Sequence, residues 1–344
     1  MWGIEIYELL SFGRQFGLSV MGAASLWGMV FLYVAHKKKL NNPAGIFLSW
    51  MGMRMRWFIM GGGILALMTW LALTLIVPAS AHEGVTLITT KMGTINAMLL
   101  MTPVYLAIAG AVFFLVINIK NPAFLIAPKL GFSWFYPVTF VLASVAVSYY
   151  TDLRGLPLDE TVFHIFHGFH SIFTLGTVLC LDLIFLSTQN APFVQKHVFP
   201  LFPKISKVIW LGLSLDLLST LLIYPEAILL TPRFYFAQIL VGILIINGIL
   251  LSGVITRRVL KNVEEGHGEK IIFWEKFATV AGAISITSWT AITIVDQLHG
   301  MTIPLGGLFL MYIFVISSIV IGREVWNKLD VHAEKLAGTF LGER

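Results

Sequence analysis

The residues best able to do chemistry are three histidines in TVFHIFHGFHSIF: His164, His167 and His170. On a helix each step of three turns the chain by about 300°, so the rings fan across roughly 120° of one side, with His170 about 9 Å along the axis from His164. Neutral imidazole ligates haem iron, zinc and copper. Haem b would need a second axial group on a facing helix, and His82 or His299 would supply it. A bare copper or zinc ion would instead be held by His167 and His170 with Asp296 or Glu226. The same outer histidines suit a quinone site. Histidines that only hydrogen-bond water, carbonyls or lipid headgroups at an interface would show the same spacing.

A second set is formed by Asp182, Asp216 and Asn247. Counted from the ends of the apolar runs that contain them, they lie at about 9, 12 and 13 Å from one boundary, a shared depth at 1.5 Å per residue. Carboxylates close together in a low dielectric do not both ionise cheaply, so this layer reads as a proton or cation path. The competing expectation is a polar clasp that fixes helix packing. No continuous line of polar residues is expected between this layer and the outer histidines.

The elements that must position these groups are apolar throughout. The chain has 344 residues, 57% of them hydrophobic and 12% charged, about half the charge density of a soluble domain. Such a chain cannot coat a water-soluble surface of its size, so lipid is its solvent. Runs of spanning length fall near 18–35, 58–77, 95–118, 132–150, 163–187, 208–225, 234–256, 277–295 and 301–322. A core of roughly 30 Å takes about 20 helical residues, and only helices or closed barrels satisfy their backbone there. The expected fold class is all-α, a polytopic membrane bundle of nine spans.

Basic residues orient it. With an odd number of spans, nineteen of the 23 Lys and Arg residues fall on one side; Arg14, Lys91, Arg154 and Arg233 fall on the other. The basic side is cytosolic, which puts the N-terminus outside and the C-terminus inside the inner cell membrane. The same bias accounts for the net charge of +5, so no nucleic-acid role is implied. His82, His164, His167, His170 and His299, five of the nine histidines, then gather at the outer face.

The chain divides into an interfacial amphipathic helix (1–16), a four-helix half (17–160), a five-helix half (161–322) and a cytosolic amphipathic tail (323–344). The start lacks the basic n-region of a signal peptide. Helical hairpins echo one another, as in KVIWLGLSLDLLSTLLIYPEAI against KFATVAGAISITSWTAITIVDQL, and repeated hairpins build bundles whose interiors hold cofactors. The single cysteine, Cys180, rules out a disulfide framework, a CxxC redox pair and a thiolate zinc site. Walker A, nucleotide-fingerprint, HExxH and GxSxG motifs are absent.

The segments HSIFTLGTVLCLDLIFL, VIWLGLSLDLLSTLLIYP and QILVGILIINGILLSG resemble the CopD-like copper-resistance membrane proteins over residues 163–253. The layout is also similar to b-type cytochrome bundles. The resemblance implies a ligand-like role for His170. Together these features lead us to expect a membrane subunit of a redox complex, carrying haem b or quinone near the outer face and partnered by other membrane or extracytoplasmic subunits. A metal-ion or proton transporter and a structural subunit without chemistry are the other two readings.

Overall fold

The computed structural model describes residues 6–37, 43–79, 85–119, 134–148, 169–181, 201–223, 231–265, 268–297 and 303–322. Among these residues the regular structure is helical and no strand occurs. The helices are α1 (Ile6–Lys37), α2 (Pro43–Ala79), α3 (Val85–Ile117), α4 (Phe135–Ser148), α5 (Phe169–Leu181), α6 (Phe202–Ile223), α7 (Pro232–Ile249, continuing to Glu265), α8 (Gly268–Gln297) and α9 (Leu305–Gly322). Five stretches are long and apolar enough to cross a membrane: Leu9–Lys37, Leu48–Leu75, Pro232–Arg258, Lys276–Val295 and Leu305–Gly322. Met101–Ile117, Phe135–Val147 and Phe169–Leu181 are apolar but shorter. The described residues are all-helical, and helices of this length and apolarity make the chain a membrane protein in contact with lipid.

α1 runs unbroken from Ile6. Residues 6–16, expected as an interfacial helix of their own, continue without a break into the rest of α1. The reason is packing: Ser11 and Arg14 are buried on it, and Gly13 meets the Thr69 side chain of α2.

Two compact units arise from these helices. The first comprises 1–228 with 293–301, the second 229–292 with 302–344. In the first, α1 packs on α2, α4 and α5; α3 packs on α2 and α4; α6 packs on α5. Leu18, Met21, Trp27 and Phe31 of α1, Met51, Met55 and Ile59 of α2, and Ile108 of α3 form its core, with Tyr136 of α4. The α1–α2 crossing is backbone against backbone. A Cβ on Gly62 would sit 2.5 Å from the Gly17 carbonyl, and one on Gly17 would sit 2.6 Å from the Gly62 carbonyl. Small residues at such a seam let dispersion contacts substitute for the hydrophobic drive that lipid does not supply.

The second unit ties α7, α8 and α9 together. Thr231 caps α7 by accepting from the Phe234 amide at 3.3 Å, with Pro232 in the first turn. Phe236 of α7 packs edge-on against Phe309 and Tyr312 of α9, while Ser288 of α8 and Tyr312 share a buried 2.8 Å hydrogen bond. α9 turns most of its surface outward, with Leu310 71% and Phe314 72% exposed, as a helix bathed in lipid would.

Several serines within the helices share one pattern. Ser25, Ser214, Ser252, Ser288 and Ser318 each donate to the carbonyl four residues earlier, which satisfies a polar group without water. Near one end of α2, Arg54 lies 4.3 Å over the exposed Trp50 ring and Arg56 lies 5.4 Å from the Trp57 ring. Paired aromatic and cationic groups of this kind suit a headgroup layer.

Candidate functional site

His170 of α5 and Asp216 of α6 meet in the first unit, with Nε2 and Oδ1 3.5 Å apart. Both residues are buried, His170 at 7% and Asp216 at 5% exposure. The sequence placed them in separate layers with no polar line between; the structure makes them neighbours. Depths counted from hydropathy boundaries shift by 1.5 Å for every residue of error in a span's end, and two side chains reaching toward each other close the remainder.

The surroundings explain how α5 holds His170 still. Ile172–Gly176 forms a π-helical turn directly after the histidine, and such single-turn bulges concentrate at functional sites. Thr174 donates to the His170 carbonyl at 2.6 Å, and Thr177 donates to the Ile172 carbonyl, five residues back, at 3.2 Å. Thr177 also accepts from Trp27 Nε1 of α1 at 3.1 Å, while the Ser171 and Ser19 hydroxyls sit 2.8 Å apart. Gly176 rests on the backbone carbonyl of Ser19. On the other side, a Cβ at Gly212 of α6 would lie 2.6 Å from Thr174 Cγ2. α5 is therefore clamped between α1 and α6, with hydroxyls toward the first and the charge pair toward the second.

Chemically the pair can carry one proton while staying neutral as a whole, either as imidazolium and carboxylate or as imidazole and carboxylic acid. Neutrality is what makes ionisable groups tolerable at this burial.

Comparison with known proteins returns no match: no family model, curated protein or solved structure is similar to this chain.

The remaining expected site residues divide as follows. His82, His164, His167, His299, Glu226 and Asp182 lie outside the described residues. Asp296 falls on α8, but its side chain lies outside them too. Of the set His167, His170, Asp296 and Glu226 named for a metal ion, only His170 has a described side chain. Among the described residues no group of three or more His, Cys, Asp or Glu side chains is placed to hold one. For haem, the donor set imposes a condition. His170 Nε2 faces Asp216, and the Gly212–Thr174 approach closes the α5–α6 seam one turn further on. A tetrapyrrole does not fit on that nitrogen while the pair is made.

Asn247 takes the clasp role. It is buried on α7 in the second unit, and its Nδ2 donates to the Ala281 carbonyl of α8 at 2.8 Å. An Asn247→Leu protein is expected to lose about 0.5–1.5 kcal/mol of stability, the worth of one interhelical hydrogen bond. Its proton flux should equal that of the wild type. Denaturant titration of helicity alongside a liposome flux assay checks both, and a tenfold drop in flux would return Asn247 to the proton path.

Sequence reasoning missed Ser19, Trp27, Ser171, Thr174 and Thr177, the hydroxyl and indole partners that fix α5. Their signal was weak, because single Ser and Thr residues in apolar spans usually bond their own helix. Arg14, on the outer side in the expected topology, is buried within the protein at 1% exposure. Its spacing of three from Ser11 and of three from Gly17, all on one helix face, was the readable clue.

Proposed function

We propose that this chain is a proton-handling membrane subunit of a redox complex, in which His170 and Asp216 take up and release a proton inside the bilayer. The buried, mutually neutralising imidazole–carboxylate pair carries this reading. Ionisable groups within spans are expensive, and where they occur they mark ion or proton pathways. The proposal includes nine crossings, an external N-terminus, a cytosolic C-terminus and residence in the inner membrane. Nine described helices overlapping the nine apolar runs and the basic bias of alternate loops support it. The CopD-like resemblance around His170 and the quinone expectation keep electron transfer as the process served. A proton-coupled metal-ion transporter would use the same pair and differ in what crosses with the proton.

The test is proton flux in proteoliposomes holding the full chain and a trapped pH dye under an imposed potential. Wild-type protein should dissipate the gradient. Asp216→Asn, which keeps shape and a hydrogen bond but takes no proton, and His170→Ala should each slow it by at least about tenfold, the scale of losing one positioned proton-transfer group. Flux that persists in Asp216→Asn, or a wild-type protein that moves no protons, rejects the proposal. An absorption spectrum of the same preparation reads haem: a Soret band lost in His170→Ala would transfer the role of His170 from proton carrier to axial ligand.

A further inference from the structure

At the junction of α1, α2 and α3, away from His170 and Asp216, lies a group of buried hydrogen-bond donors. Tyr105 of α3 is 1% exposed and its hydroxyl has no hydrogen-bond partner; the same holds for the Ser11 hydroxyl, on a residue 4% exposed, and for the buried indole Nε1 of Trp70. These groups belong to one place. The Trp70 and Tyr105 rings stack with centroids 4.7 Å apart and planes 12° apart. α1 meets α2 at this level, since a Cβ at Gly13 would lie 2.9 Å from Thr69 Cγ2. Arg14, one turn from Ser11, acts electrostatically on the Tyr105 hydroxyl.

An unpartnered buried donor costs about 1–3 kcal/mol, and three at one junction is more than a packing accident leaves standing. The described residues offer them little. Among the described side chains of this unit Asp216 is the one carboxylate, and it faces His170. The hydroxyl of Thr69, next to Trp70 on α2, is spent on the carbonyls of Leu65 and Ala66. Among the described residues no acceptor reaches them.

We infer that this junction is a binding site for a membrane-soluble ligand that presents an acceptor oxygen on an apolar tail, held by Tyr105 Oη, Trp70 Nε1 and Ser11 Oγ. Leu71 on α2 and Leu106 on α3, next in the chain to Trp70 and Tyr105, are 47% and 63% exposed, so apolar surface for a tail begins about 100° around each helix from the donors. The flat stacked pair also suits a conjugated ring, because offset aromatic contacts add to hydrogen bonding. Two sources share this chemistry: a quinone carbonyl and a fatty-acid carboxylate. The site stands independently of the proton pair.

The experiment titrates the full chain in nanodiscs with a short-chain ubiquinone analogue in one arm and oleate in the other, reading binding by calorimetry. At least one probe should bind. Tyr105→Phe, which removes only an oxygen, and Trp70→Phe should each weaken it about tenfold, the value of one buried hydrogen bond, while Gly61→Ala, where an added Cβ meets nothing within 4 Å, binds as the wild type does. Preference for the quinone or for oleate identifies the head. The ligand-free Tyr105→Phe protein should be as stable as the wild type or more so, because an unsatisfied hydroxyl has been deleted. Binding of neither probe, equal affinity in the Phe variants, or a ligand-free Tyr105→Phe protein that melts earlier would overturn the site.

Discussion

A His170→Leu protein and an Asp216→Leu protein should each lose about 3–5 kcal/mol of stability, while the double variant should come back to within about 1 kcal/mol of the wild type. The asymmetry follows from where the pair sits. Both groups are buried between helices that touch through Gly212 and Thr174, so deleting one partner leaves the other buried without the group it is paired with. Deleting both removes the stranded group along with the attraction. A double-mutant cycle read from denaturant titration of helicity therefore gives a large favourable coupling. If the two single losses simply add, the side chains do not depend on each other, and the proton-sharing argument loses its basis. The stability cycle and the flux assay report separately, since a protein can keep the pair for packing and move no protons.

The second large effect is expected at the α1–α2 crossing. Gly62→Val should cost about 3 kcal/mol, at the upper end of what overpacking a well-filled interior costs. The added Cβ would meet the Gly17 carbonyl at 2.5 Å and the Met21 amide nitrogen at 2.9 Å, and backbone atoms cannot rotate aside as a side-chain tip can. Gly61→Ala is the control: a Cβ there meets nothing within 4 Å, so the change should be neutral, or stabilising by up to about 1 kcal/mol through helix propensity alone. Two adjacent glycines would thus differ by several kcal/mol. The outcome to look for is the difference in denaturation midpoints; equal midpoints would mean that α1 and α2 do not cross at Gly17 and Gly62. Gly17→Ala combined with Gly62→Ala should cost less than the sum of the two, because the first substitution already parts the helices that the second would have pushed.

The same pair of glycines shows what the sequence could and could not say. The run Gly61–Gly63 announced a close helix approach, and Gly62 and Gly63 make one, against Gly17 and Val112. Composition could not assign the task within the run, nor foresee that Gly242 and Gly306 would face open space, because helix rotation is set by partners remote in the chain. Tryptophan behaves alike. Trp50, Trp57 and Trp134 are exposed as belt residues should be, but Trp27 and Trp289 are buried, and Trp27 spends its indole on Thr177. The all-helical class was readable because the apolar runs are long and the charge sparse. His170 was legible through its neighbours at intervals of three, and Asp216 through its cost in an apolar run. Their meeting was not, since it depends on the rotation of α6 about its own axis, which a uniformly apolar helix conceals.

The π-helical turn of α5 has a consequence for how this segment tolerates change in length. A turn of this kind carries one more residue than the α-helix around it, so Phe169 and His170 before it and Thr177 and Cys180 after it are phased by that surplus residue. Excising a single residue from 172–176 would restore an α-helical ladder and leave the flanking residues at nearly their present relative rotation, because the wide turn had absorbed the surplus residue. The imidazole would keep its carboxylate and the threonine its indole, whereas excising a residue from a straight part of α5 would part them by about 100°.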